Sequence, residues 1–244
     1  MTARVCTGVS GLDDLLGGGL IEGSANLVVG ATGTGKTTLG MQFLYNGVVQ
    51  YDEPGLLVTF EEFPYSLQRD AHSFGWDLGV LEAANKLRIV FTSPRVFMAN
   101  LESPTSPLSR VIREWEVRRV VLDSVTHLTR ITTDPVELRK LETATVNGLK
   151  REGVTSILTC EADGSRLRLD RDRLAYVVDT ILLARHVEVD SAIQRALMVL
   201  KMRGSAHTQG IHRYEIRGEG IVVTNKFEGL RGLLTGTPTR EARG

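Results

Sequence analysis

The residues Gly30-Ala31-Thr32-Gly33-Thr34-Gly35-Lys36-Thr37 follow the spacing G-x-x-x-x-G-K-[ST]. Each type at this spacing has a task in holding a polyphosphate. Glycines let successive backbone N–H groups turn inward around the phosphates, and a following helix adds its positive N-terminus. Lys36 brings a point charge to the terminal phosphates, and the Thr37 hydroxyl is placed to ligate Mg2+. At average residue frequencies roughly 1% of chains this long would carry such a run by chance, so nucleotide binding is the first expectation.

Two sets of acids fit the same chemistry. Glu61 and Glu62 end the predicted strand that follows the loop's helix. In a parallel sheet the C-terminal ends of neighbouring strands face one crevice. There the pair can reach a water in line with the γ-phosphate, one acid as general base and the other as support. The plainer alternative is that they open the next helix, where acids suit the dipole. Val120-Val121-Leu122-Asp123 is an apolar strand ending in an acid. Asp123 there would hold Mg2+ through water, with Ser124 polarising that water, unless it merely caps a helix. Late in the chain, Lys201 and Arg203 stand at alternate strand positions and so point the same way. Two cations on one face suit the charge that builds on a γ-phosphate in its transition state, although residue chemistry alone favours an exposed strand face.

The elements that must position these groups read as α/β. Short apolar runs at 24–29, 55–60, 87–91, 119–122 and 155–159 predict strands, and the spacing predicts a helix over about 36–50. A second helix is expected over 135–152, with Asp134 as cap, Pro135 in the first turn and Gly153 closing the end. Strands alternating with helices argue for a mostly parallel sheet covered on both faces. From Val178 the pattern changes to strands at 179–185, 195–202, 210–216 and 221–224 without long helices between them. This is expected to be an antiparallel extension of the same sheet. Residues 1–232 are read as one domain and 233–244 as a flexible, polar, glycine-rich tail.

Composition sets the outer limits. The 244 residues carry 29 basic and 29 acidic groups, so the chain lacks the broad positive excess of a protein that grips nucleic acid through its backbone. Residues 1–79 hold 3 basic and 9 acidic groups, and residues 185–244 hold 10 and 6, an asymmetry that suits head-to-tail self-association or internal attraction. Two distant cysteines, Cys6 and Cys160, make no metal-ligand pair and fit a reducing cytoplasm. The longest apolar run is too short to span a bilayer, so no membrane segment is expected.

With these residues in order, the chain resembles the KaiC-like branch of the RecA-type ATPases. The markers are residues 8–19, 30–38, 59–62, 73–78, 122–126, 201–207 and 236–240, which run through almost the whole chain. The resemblance implies a RecA-like core, ATP with Mg2+ at subunit interfaces, and a hexameric ring. It puts Gly33, Thr34, Gly35, Lys36, Thr37 and Thr38 on the phosphates and makes Glu61 and Glu62 the paired catalytic carboxylates, with Glu61 leading as general base. Ser73 corresponds to a nucleotide-contacting serine. Lys201, Met202, Arg203, Ser205 and His207 correspond to residues that reach the neighbour's ATP.

Departures from the family pattern shape the functional expectation. The family's clock protein carries two such domains in tandem, and this chain has length for one. Where that protein phosphorylates a Ser-Thr pair, this chain has Ala175 and Tyr176, so self-phosphorylation there is not expected. A Thr/Ser-Asp pair that contacts ATP in the family is Arg217-Gly218 here, which bears on nucleotide affinity and selectivity. The expected function is a cytoplasmic ATP-hydrolysing ring that signals nucleotide state to a regulatory protein partner. Two alternatives are a recombination accessory on single-stranded DNA and a serine/threonine kinase acting on a partner. The candidate DNA loop, residues 161–173, carries Arg166, Arg168, Arg171 and Arg173 among Asp163, Asp170 and Asp172, with no aromatic to stack a base.

Overall fold

Successive strand residues point to opposite faces, and here both faces are apolar. Leu27, Val29, Leu56, Val58, Val120 and Leu122 pack into one core, while Val28, Leu57 and Val121 pack into the other. Such strands must be covered on both sides. The computed structural model, which describes residues 3–162, 173–233 and 239–240, shows that arrangement.

The chain begins with β1 (Arg4–Val5), the single turn α1 (Leu12–Leu15) and β2 (Leu20–Ile21), β1 and β2 pairing antiparallel. The main body follows as β3 (Ala25–Gly30), α2 (Lys36–Tyr51), β4 (Gly55–Thr59), α3 (Pro64–His72), α4 (Leu78–Ala83) and β5 (Leu87–Phe91). It continues through α5 (Pro94–Glu102), α6 (Pro107–Glu114), β6 (Arg119–Asp123), α7 (Pro135–Arg151) and β7 (Thr155–Glu161). The antiparallel part is β8 (Thr180–Val189), β9 (Ala192–Met202), β10 (His212–Arg217) and β11 (Gly220–Lys226). Short 3-10 turns cover Val125–Arg130 and Arg173–Tyr176. Finally β12 (Leu230–Arg231) pairs with β13 (Thr239–Arg240).

The nine-stranded sheet has the order β11-β10-β9-β8-β3-β7-β6-β4-β5. Neighbours from β8 to β5 are parallel, and β8 to β11 are antiparallel. The expected fold is therefore present, with strand ends shifted by a few residues. Asp134 caps α7 as expected, accepting from the Val136 and Glu137 amides at 2.8 Å. Residues 163–172, most of the candidate DNA loop, and 234–238 and 241–244, most of the expected tail, lie outside the described residues. Among the described residues no helix is long and apolar enough to cross a membrane.

One joint in this frame is unusual. Arg119 opens β6 with no accessible surface, under Gly47 of α2. Burial lowers its guanidinium from the ordinary arginine value, and Glu53 opposes that shift through an ion pair at 2.6 Å. Its Nη1 donates to the Phe43 carbonyl at 3.0 Å, and the Phe43 and Tyr51 rings lie against it. A buried charge is tolerated when an opposite charge lies against it, as Glu53 does here, although Nη2 makes no hydrogen bond among the described residues. The joint fixes α2, and so the phosphate loop, against β6.

Candidate active site

The loop between β3 and α2 is closed by side chains from the far end of the sequence. Gly35 caps α2 at φ 85°, and a Cβ there would meet Ile216 Cδ1 at 2.8 Å. Gly30 has no room for a side chain either, since a Cβ would sit 2.7 Å from the Ala184 carbonyl. The Tyr214 hydroxyl, buried, donates to the Thr34 carbonyl, and Arg195 Nε donates to the Gly33 carbonyl at 3.3 Å. Burial pushes the Tyr214 phenol far above its ordinary value, so it stays a donor. Lys36 is buried beside the loop and donates to the Ala31 carbonyl at 3.1 Å.

The cleft beside this loop has a volume of about 340 Å³. Gly33, Gly35, Lys36 and Thr37 line it, together with Glu61, Glu62, Asp123, Ser124, His127 and Glu161. The Thr37 hydroxyl donates to Asp123 Oδ2 at 2.7 Å, and the Thr159 hydroxyl donates to Oδ1 of the same carboxylate. Thr34 instead turns inward, its hydroxyl on the Ala31 carbonyl at 2.7 Å, and neither Thr34 nor Thr38 lines the cleft. Among the described residues no group of three or more His, Cys, Asp or Glu side chains is placed to hold a metal. The Thr37 hydroxyl and the Asp123 carboxylate are hard oxygen donors of the kind that would fit a divalent cation arriving with phosphate oxygens.

Glu61 and Glu62 lie in the turn before α3, whose first residue is Pro64, so they do not open that helix. The buried Thr59 hydroxyl shapes the turn by accepting from the Glu62 amide at 3.2 Å and the Glu61 amide at 3.4 Å. Glu61 Oε2 lies 2.7 Å from His127 Nε2, and its Oε1 lies 3.6 Å from an Arg130 guanidinium nitrogen. The Glu62 carboxylate makes no hydrogen bond or ion pair among the described residues. Desolvation, then the charges of Asp123, Asp70 and Glu61, push the Glu62 carboxyl above the ordinary value, with Arg69 pulling the other way.

The second basic set lies elsewhere. Lys201 pairs with Ile181 and Met202 with Thr180, while Thr180 pairs with Asn26 at the start of β3. The phosphate loop begins at the other end of β3, about 13 Å along the strands at ~3.3 Å per residue. Lys201 Nζ donates to the Ala175 and Val178 carbonyls at 2.6 and 2.7 Å, and Arg203 donates to the Tyr176 carbonyl. The two side chains therefore do point the same way, but away from this chain's own cleft. Burial, then the Arg203 charge, lowers the Lys201 ammonium from the ordinary lysine value. Met202 is buried in the core, and Ser205 accepts from Arg4. His207 Nδ1 is buried without a hydrogen-bond partner among the described residues. The Ser73 hydroxyl caps α3 on the Asp70 carbonyl at 2.6 Å and does not line the cleft.

Several residues escaped the sequence reading: His127, Arg130, Thr159, Glu161, Arg195 and Tyr214. A histidine four positions after Asp123 was visible as a signal, whereas Tyr214 and Arg195 reach the loop across more than 160 residues.

A parallel sheet with a glycine-rich phosphate loop at the end of a central strand, and a strand-ending acid bound to the loop's threonine, defines a RecA-type P-loop ATPase fold. Within that class the chain belongs to the KaiC ATPase family, whose model matches residues 5–228. It is 36% identical over 240 residues to the circadian clock oscillator protein KaiC of Thermostichus vulcanus, covering 97% of this chain and 45% of that protein. With the KaiC of Synechococcus elongatus it shares 35% identity over 226 residues, covering 90% of this chain and 44% of that protein. The chain thus spans about half the length of these relatives. The crystal structure of a KaiC-like protein from the hyperthermophilic archaeon Pyrococcus horikoshii OT3 superimposes with a TM-score of 0.82 at 32% identity. That match covers 92% of this chain and the whole of the archaeal one.

Proposed function

We propose that this protein is a cytoplasmic, Mg2+-dependent ATPase that works as a homo-oligomeric ring, a hexamer, with each ATP shared between two subunits. Residues 1–232 form one ATPase domain, and its nucleotide state is read by a protein partner rather than by nucleic acid or a membrane.

The observation that carries this reading is the charge of the cleft. Four carboxylates, Glu61, Glu62, Asp123 and Glu161, line it, against Lys36 as the only lysine or arginine among the described lining residues. A polyphosphate entering there meets excess negative charge among the described residues, which cations supplied from outside the single cleft would offset. Mg2+, when bound, neutralises charge on the β- and γ-oxygens. The remaining cations suited to the task, Lys201 and Arg203, face away from their own chain's cleft and fit a neighbour's. In this reading Ser205 and His207 join these shared contacts, Ser73 contacts the nucleotide, and Met202, whose side chain is buried in the core, reaches it through its backbone.

The residues then divide the work. Amides of the loop from Gly33 to Thr38 and the α2 N-terminus cradle the phosphates, and Lys36 leaves the Ala31 carbonyl for the β- and γ-phosphates. Thr37 and Asp123 hold the cation. The acidic pair at 61–62 takes the proton of the attacking water. Phosphoryl transfer to a serine or threonine of this chain's own 175–176 pair is not part of the reading, because Ala175 and Tyr176 stand there.

The test is titration of a fluorescent ATP analogue into the unmutated protein and Lys36→Ala. Losing the strongest point charge on the phosphates is expected to weaken binding by roughly 100-fold or more, about 2.8 kcal/mol at ~1.4 kcal/mol per decade. Unchanged affinity would refute the phosphate site.

A further inference from the structure

The adjacent acids do not share the same surroundings, and the difference comes from two side chains outside the expected site. His127 and Arg130 belong to the 3-10 turn that follows β6. His127 is mostly buried, edge-on to Phe60 with ring centroids 6.4 Å apart, so its ring has little freedom. Its Nε2 lies 2.7 Å from one Glu61 oxygen, and Arg130 lies 3.6 Å from the other while also donating to the Phe60 carbonyl at 3.4 Å. Both Glu61 oxygens are thereby engaged. The Glu62 carboxylate lines the same cleft with neither oxygen bound among the described residues.

A general base must offer a lone pair and must gain by taking a proton. A carboxylate with an imidazole nitrogen against one oxygen and a guanidinium near the other has no oxygen turned free to a water, and must give up a contact to take its proton. We propose that His127 and Arg130 are positioning residues that hold both Glu61 oxygens in place and leave proton acceptance from the attacking water to Glu62. This rests on the ATPase reading above and revises its leading base. In the step, the water oxygen bonds to the γ-phosphorus and its proton passes to Glu62. The bond from that phosphorus to the β,γ-bridging oxygen breaks, with the electron pair leaving on ADP.

Turnover of saturating ATP and affinity for the fluorescent analogue, measured together on single and combined variants, test the division. Affinity is expected to stay within about threefold in all of them, which also reports folding. Glu62→Gln is expected to lose 100-fold or more in turnover, in the ~10²–10⁴ range of general-base catalysis, and Glu61→Gln no more than about tenfold. In the Glu62→Gln background, His127→Ala with Arg130→Gln releases Glu61 and is expected to regain about tenfold. His127→Gln, which keeps an N–H donor, is expected to regain nothing. A merely structural His127 would give no such recovery. Equal losses from the two glutamine variants, the reverse ranking, or no recovery on release would overturn the assignment while leaving the ATPase reading intact. No hydrolysis by the unmutated protein would instead overturn the ATPase reading, and the assignment with it.

Discussion

Glu61 and Glu62 are joined by one peptide bond and both amides donate to the Thr59 hydroxyl, yet among the described residues only the Glu61 carboxylate meets partners. The consequence reaches the pH profile. The Glu62 carboxyl is pushed up by desolvation and by the charges of Asp123, Asp70 and Glu61. As a base it works ionised, so turnover is expected to fall as pH drops through its raised value. The acid limb should therefore lie above the ordinary carboxylate range. Replacing Asp70 by Asn removes one of the charges that raise Glu62, and the limb should move to lower pH. Arg69→Gln removes the opposing charge and should move it higher. Turnover measured across pH in these two variants checks the sign, and both repeated in His127→Gln exclude titration of the imidazole itself. A limb that stays fixed in both would mean that Glu62 does not set it. At this scale the sequence disclosed which residue types were present but not who held them. Asp123 was legible as an acid at a strand end. Its grip by Thr37 and Thr159, 86 and 36 positions away, follows only from sheet order.

The antiparallel strands carry more of the phosphate site than their lack of motif suggests. β10 and β11 lie at one edge of the sheet, yet Tyr214, Ile216 and Ile221 close on the loop and on Gly35. The Gln42 side chain of α2 is bound at both ends by Ile221, donating to its carbonyl at 3.2 Å and accepting from its amide at 2.7 Å. Removing the phenol in Tyr214→Phe leaves the Thr34 carbonyl without that donor, at a cost of about 1 kcal/mol. Thermal unfolding should register the lower stability. Analogue affinity should fall by roughly threefold to tenfold, because the loop must then be ordered by the phosphates themselves, a cost met from binding energy. Undiminished affinity would show that the loop is preorganised without the extension. The strands themselves were readable, since apolar runs separated by turn residues mark them whatever they pair with. Their contact with the loop was not, because nothing local to Tyr214 distinguishes a hydroxyl aimed at Thr34 from any other buried tyrosine.

For the molecule as a whole, the question is where the missing positive charge comes from. Register puts Lys201 and Arg203 near the start of the parallel strands and the loop near their ends. A subunit therefore cannot bring these side chains to its own phosphates without dismantling the sheet edge, whereas in the proposed ring a head-to-tail neighbour would. The charge asymmetry points the same way, with the acidic residues 1–79 holding the loop and the basic residues 185–244 holding the two cations. The expected outcome is complementation. Lys36→Ala subunits lack a working phosphate site but keep Arg203, and Arg203→Ala subunits keep the site but lack the cation. When both are co-expressed so that they assemble together, some interfaces join an intact loop to an intact Arg203 from the other variant. Those interfaces should hydrolyse ATP although each parent is inactive. An arginine supplied from a neighbour contributes ~10³-fold or more to phosphoryl transfer, so even a small fraction of repaired interfaces stands above the parents' background. Turnover should rise and then fall as the ratio of the two subunits is varied, peaking where mixed interfaces are most numerous. Mixed assemblies that form and yet stay as inactive as the parents would rule out a shared site and return Lys201 and Arg203 to holding the 173–176 turn.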